Sequence, residues 1–110
     1  MEIVSIKEKK EFDKVFKSGE RYSAKYLTLI RFKESKGNKL YLGIIVKAKH
    51  GNAVKRNRTK RIVRETIRSI KTQIVGSENI IIMPKYEATK GFYENAADDL
   101  LNLLKISGII

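Results

Sequence analysis

The sequence of 110 residues contains no cysteine, no tryptophan, one histidine and one proline. Without cysteine there is no disulfide framework, thiolate nucleophile or cysteine-ligated metal site, an absence typical of a reducing, intracellular setting. A single histidine excludes a histidine-rich metal site and any mechanism that needs two histidines. No run approaches the ~20 apolar residues of a membrane span, and the N-terminal segment lacks the apolar region of a signal peptide.

Acidic residues are also few. Lysine and arginine number 24 against 12 aspartates and glutamates, so the net charge is +12. This exceeds what solubility requires and favours a polyanionic partner. Residues 47–71 alone hold ten basic residues and one acidic residue, a net +9. Such clustering is typical of nucleic-acid-binding proteins, although a solvated helix face or a localisation-like run is the alternative.

Length and composition predict one domain over residues 1–110, because 42% hydrophobic residues suffice for a single modest core. A capping-box pattern at residues 5–8 predicts a helix to about residue 18, which Gly19 ends. Residues 26–32 and 40–46 are predicted strands, and the Gly37-Asn38 turn between them indicates a hairpin with a long loop. Residues 21–23 allow a short extra strand.

A long helix is predicted from the N-cap Asn52 to about residue 74, before Gly76. Its buried stripe repeats at spacings of four, three and four: Val63, Ile67, Ile70 and Ile74. Residues 79–83 predict a buried strand, residues 85–91 a loop, and residues 92–105 a helix whose leucines cover the sheet. The predicted fold is α/β: a small two-layer sandwich around one sheet, in the order αβββαβα.

The long helix carries the basic cluster. At ~100° per residue its later cations fall on one broad side, away from the apolar stripe: Lys60, Arg61, Arg64, Arg68 and Lys71. Arg56, Asn57 and Arg58 occupy the first turns, where the backbone N–H groups and the helix dipole favour phosphate. Arginine can bind phosphate bidentately, and Asn57 can hydrogen-bond a base edge or a ribose hydroxyl. A DNA major groove or a membrane surface remains an alternative partner.

Phe12 and Phe16 lie one turn apart on the first predicted helix, near Lys14 and Lys17. Exposed rings beside positive charge can stack on unpaired bases. The alternative, which residue type alone favours, is that both rings belong to the core.

An enzyme with its own active site finds little support in the sequence. His50 lies among basic residues and is interpreted as a surface or loop histidine. Asp98 and Asp99 are neighbours that point ~100° apart on a helix, so they do not form a metal cage. Glu65 is interpreted as an intrahelical partner of Arg61 or Arg68. Nothing forms a set of nucleophile, base and orienting group.

Residues 51–65 read GNAVKRNRTKRIVRE, and residues 11–19 read EFDKVFKSG. The first closely resembles the signature of the bacterial ribonuclease P protein component, and the second resembles that family's first helix. The resemblance extends over nearly the whole chain. It implies the α/β fold shared with the second domain of ribosomal protein S5, with a left-handed βαβ crossover.

The same resemblance implies a ribonucleoprotein in the cytoplasm, in which a catalytic RNA removes the 5′ leader of precursor tRNA and the protein has no catalytic residue. Mg²⁺ is then bound mainly by the RNA subunit and the substrate, none by the protein alone, with one protein per RNA. The implied contacts to ribonuclease P RNA are Arg56, Asn57, Arg58, Lys60, Arg61, Arg64 and Arg68. The implied cleft for the leader comprises Phe12, Phe16, Ile30, Lys47 and Lys49.

Two positions depart from the family's usual pattern. Ala48 stands where the family usually has lysine, and Ile30 stands where some members carry an aromatic residue. The competing hypothesis is a general RNA-binding module, similar to a ribosomal protein and without a role in a nuclease. Restored cleavage of precursor tRNA on addition of the protein to a ribonuclease P RNA would distinguish the two.

Overall fold

In a computed structural model that describes residues 1–34, 37–85 and 90–110, the chain forms five strands and three α-helices. The strands β1 to β5 span Glu2–Ser5, Glu20–Ser23, Leu27–Glu34, Lys39–Ile44 and Ser77–Pro84. The helices α1 to α3 span Lys9–Ser18, Ala53–Ile70 and Phe92–Ile106. Single 3₁₀ turns occupy Ala48–His50 and Lys71–Gln73. Parts of the predicted loops, at residues 35–36 and 86–89, lie outside the described residues.

The five strands form one mixed sheet in the order β1-β4-β5-β3-β2. β4 is parallel to β1 and β5, whereas β3 is antiparallel to β5 and β2. The predicted hairpin between residues 26–32 and 40–46 is therefore wrong, because β5 lies between those strands. Ile80, Ile81 and Ile82 of β5 are all fully buried. A strand that is apolar on both faces belongs at the centre of a sheet, and the true hairpin joins β2 and β3.

The N-terminal segment differs from its prediction. Ser5 ends β1, which is absent from the predicted order, and the N-cap of α1 is Glu8 without a side-chain hydrogen bond. The capping box is thus the wrong interpretation, because residues 2–5 pair with β4, a neighbour distant in sequence. Gly19 does end α1, and a Cβ there would lie 2.5 Å from the carbonyl oxygen of Val15.

The α/β class is confirmed, but the helices lie on both faces of the sheet, giving three layers rather than two. α2 and α3 cover one face, over a core that includes Leu29, Ile67 and Leu103. α1 covers part of the other face, where Val15 packs with Ile30 and Ile81. Both faces are needed because successive residues of β3 and β5 are apolar, and they point to opposite sides of the sheet.

The long helix begins as predicted, since the Asn52 side chain accepts a hydrogen bond from the Lys55 N–H at 3.0 Å. Its predicted apolar stripe is buried, including Ile74, although the α-helix itself ends at Ile70. β4, α2 and β5 form a parallel βαβ unit. Its left-handed crossover and the likeness to ribosomal protein S5 stay predictions.

A buried ion pair joins the sheet to the end of α3. Arg31 donates from Nε and Nη2 to the two carboxylate oxygens of Glu78, at 2.9 and 2.7 Å. Its Nη1 donates to the Ser107 carbonyl oxygen at 2.7 Å. The hydrogen bond to Glu78 raises the pKa of Arg31 above its ordinary value. Among the described residues, none of the helices is long and apolar enough to cross a membrane.

Candidate RNA interface

The outward side of α2 is a row of cations with one asparagine among them, which we call the basic face. Five of its side chains are exposed and two are partly buried. They are the predicted set Arg56, Asn57, Arg58, Lys60, Arg61, Arg64 and Arg68. In the described part of the chain, all three ion pairs involve other residues. The expected pairing of Glu65 with Arg61 or Arg68 is therefore not formed there, consistent with the small energy of exposed pairs.

The first turns of α2 are held in place by neighbouring groups. Arg56 donates from Nη1 to the Gly51 carbonyl oxygen at 2.8 Å. The guanidinium of Arg58 lies 4.1 Å from the centre of the Tyr93 ring, in a cation–π contact. Tyr93 in turn donates its hydroxyl to the Lys55 carbonyl oxygen at 3.2 Å. These contacts connect the basic face to α3.

A cleft of about 110 Å³ joins the basic face to α1. We call it the α1–α2 cleft. Phe12 lies on one side, and Lys60 and Arg64 lie on the other. The cleft is also lined by Leu42, the last residue of β4 that pairs with β1, and by Ile44 beyond it. The structure thus brings together a ring predicted to bind the leader and two cations predicted to bind the RNA subunit.

Gly43 allows Phe12 to approach the sheet. A Cβ at Gly43 would lie 2.5 Å from Cε1 of Phe12, closer than side chains pack. Gly43→Ala is expected to displace the ring and to destabilise the fold by about 1–3 kcal/mol. Urea denaturation measures this loss. In a Phe12→Ala background the same substitution should cost much less, and equal costs in the two backgrounds would contradict this account.

The other residues predicted for the leader cleft lie in different surroundings. Phe16 is 37% exposed on α1, so its ring is accessible. Ile30 is 1% exposed beneath α1 and belongs to the core. The expectation that Ile30 lines an open cleft is therefore corrected: strand alternation places it under the helix, where it supports α1 from below.

Lys47 and Lys49 are exposed on the segment between β4 and α2. Lys49 lines a different cavity, formed with the N-terminal part of α3, and does not line the α1–α2 cleft. Lys14, expected to supply charge beside the phenylalanines, instead contacts Glu34 at 3.4 Å and lies over the Phe32 ring. The predicted cleft is therefore smaller than its residue set suggested.

His50 lies in the segment between β4 and α2, as a loop histidine would, but it is buried, so the surface interpretation is wrong. It is 5% exposed and packs edge-on against Phe92, with ring centres 4.7 Å apart. Its Nε2 lies 2.7 Å from Oγ1 of Thr59, whose hydroxyl donates to the Lys55 carbonyl oxygen. Nε2 is therefore the donor to Thr59. Burial first, and then the nearby charge of Lys55, lower the pKa of His50 below 6.5, so the ring is neutral at pH 7.

Sequence reasoning missed some apolar residues that remain partly exposed beside α1. Ile45 and Met83 pack against the smaller core on the α1 face without being covered. Their apolar character alone predicts only that they belong to buried strands. Strand alternation is the signal that could have placed Ile45 beside α1. Gly43 and Ile45 point to the same face of the sheet, and Gly43 contacts Phe12 of α1.

One acidic residue of α3 has a structural role. Asp99 accepts hydrogen bonds from the backbone N–H groups of Tyr26 and Leu27, at 2.9 and 3.1 Å. The carboxylate thereby attaches α3 to the start of β3. Within the described ranges, no group of three histidine or acidic side chains is placed to hold a metal ion.

Known proteins resemble this chain in sequence over nearly its whole length. The Ribonuclease P family model matches residues 2–107. The chain is 29% identical to the ribonuclease P protein component of Listeria monocytogenes over 105 residues, covering 96% of this chain and 88% of that protein. It is 30% identical to the Bacillus cereus protein of the same name over 104 residues, covering 94% and 90%.

Solved structures agree with the sequence relatives. The Staphylococcus aureus RNase P protein superposes with a TM-score of 0.87 at 28% identity, covering 96% of this chain and 95% of that one. The Thermotoga maritima RNase P protein gives a TM-score of 0.80 at 31% identity, covering 92% and 94%.

The fold and the matches define a protein subunit of a tRNA-processing ribonucleoprotein, and hence a chain with an RNA partner. The chain belongs to the ribonuclease P protein family, the protein components of this endoribonuclease complex. The family resemblance of residues 11–19 and 51–65 is thereby confirmed.

Proposed function

We propose that this chain binds the catalytic RNA of ribonuclease P through the basic face and binds the 5′ leader of precursor tRNA in the α1–α2 cleft. The proposal rests on one observation: residues of the basic face also line the α1–α2 cleft. Lys60 and Arg64 belong to the basic face and also face Phe12 across the cleft. One rigid helix can therefore contact the RNA subunit and the substrate leader together.

The chemistry suits a binding role. The basic face supplies charge-assisted donors for phosphates, while the ring of Phe12 and the exposed ring of Phe16 can stack on unpaired bases. The described carboxylates offer no cluster that would hold Mg²⁺. In this proposal the metal ions for Mg²⁺-dependent cleavage are held by the RNA subunit and the substrate, in a cytoplasmic complex with one protein per RNA.

Reconstitution tests this proposal. The protein is added to a bacterial ribonuclease P RNA at a Mg²⁺ concentration too low for the RNA alone, and cleavage of a precursor tRNA is followed. Restored cleavage at the junction of leader and mature tRNA is expected. RNA binding without any restored cleavage would instead indicate a general RNA-binding module, and cleavage by the protein alone would indicate an active site in the protein.

Phe16→Ala is expected to reduce the preference of the reconstituted complex for precursor tRNA over mature tRNA. Loss of one base–aromatic stack should cost about 1–3 kcal/mol, and it should leave mature tRNA binding unchanged. The ratio of the two dissociation constants measures the effect. Ile106→Ala removes another exposed apolar side chain, on α3, and serves as the control. An unchanged ratio for Phe16→Ala would remove Phe16 from the leader site.

A further inference from the structure

A second cavity, of about 370 Å³, lies between the first turn of α2 and the start of α3. Among the described residues, none lines both this cavity and the α1–α2 cleft. Three lysines line the cavity, Lys49, Lys55 and Lys90. None of the described carboxylates lines it. Its volume falls at the lower end of the range of small-ligand sites, roughly 300–1,000 Å³.

We propose that this cavity binds a phosphate group of the RNA subunit, so that the RNA interface continues from the basic face onto α3. The inference rests on the proposed function, because it takes the RNA subunit as the source of the phosphate. A cavity lined by charges of one sign concentrates the electrostatic potential and attracts ions of the opposite sign. Among the described residues that line it, all the charged side chains are positive.

The backbone adds donors to the lysines. Gly91 is the N-cap of α3 and has no side chain that could accept hydrogen bonds from the first N–H groups of that helix. Phe92 and Tyr93, its first two residues, line the cavity. Gly51 lines it from the α2 side, just before the Asn52 N-cap. The positive ends of two helix dipoles therefore lie at the same cavity as the lysines.

His50 gives independent support for a ligand in this cavity, because one of its ring nitrogens has no hydrogen-bond partner. It lines the cavity and is 5% exposed. Its Nδ1 is the one buried side-chain nitrogen or oxygen without a hydrogen-bond partner in the described part of the chain. Buried polar atoms normally have partners, and a bound ion or water is one of the explanations for an exception. An anion beside this ring would stabilise its protonated form, in which Nδ1–H is a donor.

Contact with the basic face favours an RNA phosphate over a free one. Tyr93 lines the cavity and also carries the guanidinium of Arg58 on its ring. A strand whose phosphates contact Arg58 therefore passes directly beside the cavity. The Tyr93 hydroxyl, bonded to the Lys55 backbone, fixes the distance between the two sites.

The first experiment uses His50 as the reporter, because it is the single histidine of the chain. Its pKa is measured by NMR titration of the full-length protein in inorganic phosphate and in sodium chloride of equal ionic strength. Phosphate is expected to raise the pKa of His50 above its value in chloride. Lys55→Gln with Lys90→Gln should abolish this difference, whereas Lys33→Gln with Lys105→Gln, a matched loss of charge elsewhere, should preserve it.

The second experiment measures the affinity for ribonuclease P RNA over a series of salt concentrations. The Lys55→Gln, Lys90→Gln variant should lower the logarithmic salt slope by about 0.9 for each phosphate that the protein no longer neutralises, and the matched control variant should lower it less. A phosphate effect on His50 with an unchanged slope would overturn the assignment to RNA. A changed slope with no phosphate effect would place the lysines on RNA outside the cavity and would overturn the site.

These outcomes are separate from failure of the proposed function. If the unaltered protein does not bind the RNA at all, the proposed function fails. The phosphate effect on His50 then still decides whether the cavity is an anion site.

Discussion

Arg58→Ala combined with Arg61→Ala is expected to weaken binding to ribonuclease P RNA roughly ten- to a hundredfold at low salt. The loss of folding stability should be no more than about 1 kcal/mol, from the contact of Arg58 with the Tyr93 ring. Both side chains are exposed on the basic face, and neither has an acidic partner among the described residues. The free energy of binding to phosphate is therefore not offset by a broken ion pair within the protein. The dependence on salt should also fall, by about 0.9 in logarithmic slope for each phosphate left without its cation.

The control for this prediction is Lys33→Ala with Lys105→Ala, which removes the same charge from exposed positions on β3 and α3. Affinity and salt slope are measured by filter binding, and urea denaturation measures stability. If the arginine variant unfolds while its remaining folded fraction binds RNA normally, the basic face is structural. If both variants weaken binding equally, overall charge is responsible and the position on α2 has no special role.

Arg31→Met is expected to destabilise the fold by about 3–5 kcal/mol, because it leaves the Glu78 carboxylate buried without its partner. The Glu78 side chain is 1% exposed and that of Arg31 is 12% exposed. The substitution also removes the donor to the Ser107 carbonyl oxygen at the end of α3. A lowered midpoint of urea denaturation, with an unchanged slope, measures the loss.

The double variant Arg31→Met, Glu78→Leu separates charge burial from packing. A buried ion pair replaced by apolar side chains of similar size often costs little, so the double variant should be more stable than Arg31→Met alone. The Ser107 carbonyl group would still lack its donor, so full recovery is not expected. If the double variant loses as much stability as the two single variants combined, the sites are independent and the ion-pair account is wrong.

Much of α2 was predictable because its signals are local. Asn52 caps the helix through a residue three positions away, and the buried stripe follows the helical period. The outward position of Arg61 and Arg64 follows from the same period. Strand alternation likewise explains why Leu29 and Ile30 lie on opposite faces of β3. These features depend only on backbone geometry within one element.

Most of the errors concern contacts between distant segments. β1 exists because it pairs with β4, and β5 enters between β3 and β4 because its isoleucines need covering on both faces. His50 is buried because α3 brings Phe92 against it. No spacing in a single segment records such pairings, so the predicted hairpin and the surface histidine were wrong.

The sequence by itself therefore determined the charge cluster, the helix that carries it, the α/β class and the family resemblance, because each depends on residue order or local periodicity. Only the tertiary structure decided that Phe12 faces Lys60 and Arg64 across a cleft, and that Lys49 and Lys55 line a cavity with α3. Both sites lie where elements far apart in the chain meet. Their geometry depends on how the helices pack on the sheet, and that packing is a property of the whole core.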